Sequence, residues 1–314
     1  MSTRDIAIDI YRIALMLGIC SIHAISFGPN KCVFAENVLL SCVVGFVFIS
    51  GWFSVNFSWR KALGLCGTGL YCSALVYVGL RLHGDTTASA FRGVIGAFHD
   101  QWFLFAYLLM TFLSPLVNAA IRGERDDLKA LVPLLALSWG WGFALTLPYV
   151  PRFLPKTNGL EAYGGITLTA AYAAARYCRL HRLFDGIRMR TLLLALPVLV
   201  FLTGIGFGDY NSPFAFVLAA VMFELFRRAF GGVTAKSLAG RAALVLAPSM
   251  FAVYLLHSAA LGRTWIPRLE GALAEGLGLP GLATVPIAAG IVFASCLLLD
   301  LPRRIFQRLK KRYG

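Results

Sequence analysis

The chain has 314 residues, of which 58% are hydrophobic and 14% charged, and its mean hydropathy is +0.73. Soluble domains carry roughly a quarter charged residues, so this composition excludes a water-soluble protein and points to an all-α, polytopic membrane protein. The net charge of +14 would suggest nucleic acid in a soluble chain; here it reads as loop lysine and arginine, and no nucleic-acid partner is expected.

Ten stretches reach the roughly 20 apolar residues that a span needs: 7–27, 38–57, 62–81, 102–121, 129–147, 162–180, 191–209, 212–230, 244–262 and 281–301. The first is long enough to cross and reads as an uncleaved first helix. The stretch 82–101 is too polar to span and suits a short amphipathic helix at the interface. The last residues, "RRIFQRLKKRYG", alternate basic and apolar side chains and read as a basic cytoplasmic tail, 303–314, on an anionic leaflet. With the N-terminus inside, the inner segments carry 21 lysines and arginines and the outer ones seven. That bias places both termini in the cytoplasm. Seven cysteines without a CxxC pair indicate neither a zinc site nor a disulfide framework, so no metal is expected.

The first span contains "YRIALMLGICSIH", with Arg12 and His23 eleven residues apart. At about 100° per residue their side chains leave one helix face, roughly 20° past three full turns. They stand about 16 Å apart along the axis. One stripe thus carries a fixed cation near the inside and a titratable base deeper in. Arg12 also suits snorkelling to the inner headgroups, and His23 a core histidine bonded to backbone. An ionisable group at membrane depth is by default a functional candidate.

The second span contains "FVFISGWF" and is followed by "SWRK". Ser50 and Gly51 remove bulk, so a neighbouring helix or a slender ligand can come close. Arg60 and Lys61 mark the inner edge, as positive-inside anchors or as holders of phosphate. The fourth span opens on Trp102, which suits an outer aromatic belt. The ninth contains "SMFAVYLLHSAAL": His257 lies about as deep as His23, with Tyr254 three residues earlier on the same face. Two histidines at one depth can meet around one cavity. Among the acidic residues near spans, Asp9, Glu36, Glu224 and Asp300 are possible partners for Arg12, and Asp209, at the outer side, is a possible sugar contact.

These motifs, in this order on ten spans, resemble the integral-membrane acyltransferase family 3, the O-antigen, exopolysaccharide and cell-wall sugar O-acetyltransferases. The resemblance rests on "YRIALMLGICSIH", "FISGWF" with its basic residues, "WFLFAYLL" with "LSPLVN", and "YLLH". It implies that residues 1–302 form a ten-helix acyltransferase domain in a bacterial inner membrane, among membrane lipids. It also implies transfer of an acetyl group from cytoplasmic acetyl-CoA to a hydroxyl of a glycan or lipid-linked sugar. By position, His23 would be the catalytic base, Arg12 its essential arginine, Arg60 and Lys61 contacts for CoA phosphates, and Ser50 and Gly51 the slot for the pantetheine arm. Trp102, Tyr254, His257 and Asp209 would face the acceptor. Arg60 and Lys61 are adjacent, whereas the family often has two arginines three apart. A transporter or flippase of a sugar or lipid-linked intermediate is the rival reading; no pair of broken helices in matching halves favours it.

Overall fold

The computed structural model describes residues 5–84, 89–146, 165–207, 210 and 212–313. Among these residues the chain is helical throughout, with no strand. Six helices are long and apolar enough to cross a membrane: 6–27, 33–53, 59–82, 102–120, 238–257 and 281–309. They coincide with six of the ten expected spans. The chain divides into two compact units, one of 1–11, 33–63 and 102–232, the other of 12–32, 64–101 and 233–314.

The first unit is built around α2 (Val33–Phe53), which packs against α7 (Gly165–Leu180) and α9 (Pro213–Ala229). Gly51 explains the first of these contacts. A Cβ there would collide with the backbone carbonyl of Tyr172, so the space it leaves is taken by α7. Phe48, Trp52, Phe184, Phe216 and Phe223 form one aromatic cluster with ring centroids 4.9–6.4 Å apart. Rings of this size each bury a large apolar area, which favours the packing of this core. Around it stand α5 (Trp102–Ala120), α6 (Asp127–Thr146) and α8 (Met189–Leu202). α8 runs into a π-helical turn, Thr203–Phe207, where the Gly204 carbonyl accepts a hydrogen bond from Asn37 Nδ2 (3.1 Å).

Local chemistry fixes the ends of these helices. Ser212 Oγ accepts from the Phe214 N–H, and Pro213, lacking an N–H, opens α9. Arg227 and Arg228 close it and grip the buried Glu224 at 2.5–2.7 Å. Arg228 also donates to the carbonyls of Ile187 (2.7 Å) and Phe184 (2.9 Å), which pins the turn after α7. At the start of α6, the Asp127 carboxylate accepts from the backbone N–H groups of Arg122, Gly123 and Glu124 and lies 3.3 Å from His181 Nε2. Burial raises its pKa, but these donors outweigh that and hold it below the ordinary 3.8.

The second unit contains most of α1 (Ile6–Phe27) and α3 (Trp59–Leu82), with α4 (Ala90–His99) and α10 to α13. α4 is the short amphipathic helix expected between 82 and 101; Phe91 and Ile95 are exposed. The ninth expected span, 244–262, is divided. α10 (Leu238–Leu246), capped by Ser237, leads through a 3₁₀ turn, Ala247–Ser249, into α11 (Met250–His257). After a corner at Ser258–Ala259 a new helix, α12 (Ala260–Leu277), begins. α13 (Gly281–Tyr313) is one helix of 33 residues, about 50 Å long. The basic segment 303–314 was expected as a separate tail; through Tyr313 it is the last three turns of α13. The remaining four expected spans fall on α6, α7, α8 and α9, which are not among the six helices above.

Candidate functional site

In the second unit, α1 and α11 bring together three of the residues singled out in the sequence. The rings of His23 and His257 lie 4.8 Å apart. Tyr254 is 6.4 Å from His23 and 6.0 Å from His257, centroid to centroid. Phe27, one helical turn beyond His23, stacks on it at 5.0 Å with 11° between the planes. The Arg263 guanidinium lies 6.0 Å from the Phe27 ring.

The two imidazoles are held differently. His257 Nδ1 is 2.6 Å from the carbonyl of Val253. A carbonyl only accepts, so Nδ1 carries the proton, and in the neutral ring Nε2 is then the lone-pair nitrogen. The Ile19 carbonyl also borders this ring. Backbone thus fixes both the orientation and the tautomer of His257. His23 Nδ1 and His257 Nε2 are both buried and have no hydrogen-bond partner. Val253 fixes the tautomer of His257, whereas no hydrogen bond on Nδ1 fixes that of His23. Gln101 steadies the floor of the cluster by donating from Nε2 to the Leu255 carbonyl (2.9 Å).

Close approach shapes the corner below His257. A Cβ on Gly262 would run into the His257 carbonyl, so α12 turns back over the end of α11 only with glycine there. Nearby, Glu270 is buried and accepts from Asn30 Nδ2 (3.2 Å). Burial raises its pKa above the ordinary 4.5; Asn30 and Lys31 recover part of that.

The other expected site residues lie elsewhere. Arg12 is half-buried on α1, eleven residues before His23 and on the same face, about 16 Å away along the axis. Ser50 Oγ donates to the Phe46 carbonyl (3.0 Å) and pairs with the Tyr107 hydroxyl (3.2 Å), while Gly51 faces α7. Arg60 and Lys61 are exposed in the first turn of α3, where a helix start favours anions, and Lys61 Nζ reaches the Asn56 carbonyl (3.5 Å). Trp102 opens α5 and lies 5.4 Å from the Tyr210 ring. Asp209 falls outside the described residues. Of the acidic candidates for pairing with Arg12, Glu224 holds Arg227 and Arg228, and Asp300 holds Arg303 at 2.6 and 2.9 Å.

Sequence reasoning missed one constellation. Arg176, Arg179 and Arg182 counted only as inner charges, yet in the first unit they line a common cavity with Trp52. The spacing of Arg176 and Arg179 was the available signal, since three residues set two side chains on one helix face; Arg182 lies past the end of α7. No group of three or more His, Cys, Asp or Glu side chains suited to a metal occurs among the described residues.

The helices and this cluster define a class: an all-helical membrane protein with ionisable residues buried among its apolar helices. Comparison with protein families, with curated proteins and with solved structures gives no match.

Proposed function

We propose that the chain is a membrane O-acyltransferase that moves an acetyl group from cytoplasmic acetyl-CoA to a hydroxyl of an envelope glycan or lipid-linked sugar. The reading is supported chiefly by the contact of His23 with His257, each of which buries one ring nitrogen that has no hydrogen-bond partner. A catalytic base needs a nitrogen not already engaged with backbone. Both rings offer one, and of the two the resemblance in sequence motifs names His23.

In this reading His23 removes the proton of the acceptor hydroxyl as its oxygen attacks the thioester carbonyl. It then returns that proton to the thiolate that leaves, so a C–S bond is exchanged for a C–O bond. His257 and Phe27 keep the His23 ring in place, and Tyr254 borders the acceptor. Arg60 and Lys61 are cations suited to the CoA phosphates, and Arg12 lies along the route between the two leaflets. Gly51 contributes helix packing rather than a slot. Ten crossings follow if α6, α7, α8 with its π turn, and α9 also span, with both termini in the cytoplasm of a bacterial inner membrane.

The test uses the purified full-length chain in nanodiscs with acetyl-CoA and a panel of glycan acceptors. Release of free CoA thiol is expected only when a suitable acceptor is present. Neither binding nor turnover of acetyl-CoA would reject the enzyme and favour a transporter. Reporter fusions at the nine inter-helix loops and at both termini should change side across each of the ten spans; a different alternation rejects the ten-span topology.

A further inference from the structure

The first unit holds a cavity of about 640 Å³ to which the acyl-transfer reading gives no task. Trp52 and Phe53 at the end of α2 form one wall. Arg176, Arg179 and Leu180 from the last turns of α7, then Arg182 and Asp185 from the following turn, form the rest. Three guanidiniums face one carboxylate, a net excess of two positive charges. The Asp185 charge also acts on Arg227.

The cationic groups are organised in advance. The Arg179 guanidinium lies over the Trp52 ring, 5.0 Å from its centroid. Trp52 itself is buried in the aromatic core, so this wall is rigid. Arg228 pins the turn that carries Arg182 and Asp185 through the Phe184 and Ile187 carbonyls. Arg176 Nε is buried and has no hydrogen-bond partner. A buried guanidinium N–H without an acceptor is costly to keep, and a ligand oxygen would satisfy it.

We infer that this cavity binds a phosphate ester through Arg176, Arg179 and Arg182. Guanidinium forks match the non-bridging oxygens of phosphate, and three of them suit a doubly charged group better than a single carboxylate. The volume lies in the range of small-molecule pockets rather than of a bare ion, and Trp52, Phe53 and Leu180 supply apolar contact for the organic part. Two sources carry this chemistry: a soluble nucleotide, and the headgroup of an anionic phospholipid. The acyl-transfer reading bears only on which of them is used.

The experiment places the full-length chain in phosphatidylcholine nanodiscs and titrates adenosine 3′,5′-bisphosphate and inorganic phosphate by calorimetry. In parallel, native mass spectrometry scores retention of phosphatidylglycerol over phosphatidylcholine. A nucleotide site predicts bisphosphate binding stronger than that of inorganic phosphate, weakened about tenfold in Arg176→Gln/Arg179→Gln. A lipid site predicts selective retention of phosphatidylglycerol that the double variant loses. Asp185→Asn should tighten whichever ligand binds, by about threefold, a gain that misfolding cannot imitate. Binding of neither ester, equal affinity for inorganic phosphate with no lipid selectivity, or binding unchanged in the double variant overturns the inference. Acetyl-CoA turnover together with unchanged affinity in that variant removes the cavity and leaves the enzyme. Ester binding that the double variant weakens, with neither binding nor turnover of acetyl-CoA, removes the enzyme and leaves the cavity.

Discussion

In the second unit two imidazoles lie 4.8 Å apart among Phe27, Tyr254 and the Val253 carbonyl. In the first, three guanidiniums line a cavity beside Trp52. The difference follows from solvation. A neutral imidazole can be buried at membrane depth for the loss of a few hydrogen bonds, whereas a guanidinium keeps its charge at any depth. Groups able to lose their charge can therefore sit inside, and groups that keep it stay partly open. Arg179 and Arg182 are exposed, while His257 is 2% exposed.

The comparison is tested most sharply at His23. His23→Ala should reduce acceptor-dependent release of CoA by about 10²–10⁴-fold, with the melting temperature and chromatographic profile of the wild type. Retained turnover in a folded variant would remove the catalytic assignment. The first unit is probed at Gly51. Gly51→Leu drives a side chain into the Tyr172 backbone and should cost about 1–3 kcal/mol, read by thermal unfolding in detergent. A wild-type melting temperature there would mean that α2 and α7 are not in contact.

Smaller effects separate two of the buried carboxylates, Asp127 and Glu270. Asp127→Asn should destabilise the turn before α6 by about 1–2 kcal/mol at neutral pH. Its pKa lies lower folded than unfolded, so its contribution is complete above the ordinary value of 3.8 and is lost as pH falls from there through the folded value. The difference between wild type and variant should shrink over that window, and a constant difference contradicts it. Glu270 has the opposite displacement. Its raised pKa means that burial works against the charged form, so Glu270→Gln should change neutral-pH stability by no more than about 0.5 kcal/mol, or raise it. A large loss would show that the carboxylate charge is needed.

Much of this architecture was legible in the linear chain. Apolar run length places α1, α2, α3, α5 and α13, because a hydrocarbon core demands about 20 apolar residues whatever the partners. His23 and His257 were legible as a pair, since each is a lone ionisable group at similar depth. Their contact was not, because α1 and α11 are more than 220 residues apart in sequence and only packing brings them together. The break after His257 was hidden for a related reason: "HSAALG" is apolar enough to continue a helix, and the corner is imposed by the contact of Gly262 with a carbonyl. The role of Gly51 was ambiguous, since a missing side chain admits a helix or a ligand equally well. The arginine cavity escaped because a charge count by loop records the side of the membrane and not what each cation faces.

The corner at Ser258–Ala259 also constrains inheritance. With the His257 carbonyl resting where a side chain at 262 would begin, that position should appear as a glycine-only column in a saturation library screened for folding. A one-residue insertion at 258 or 259 would change the geometry of this corner, displace α12 and carry Arg263 away from Phe27. Lineages of this chain are therefore expected to lengthen and drift at other joints while this one stays fixed in length.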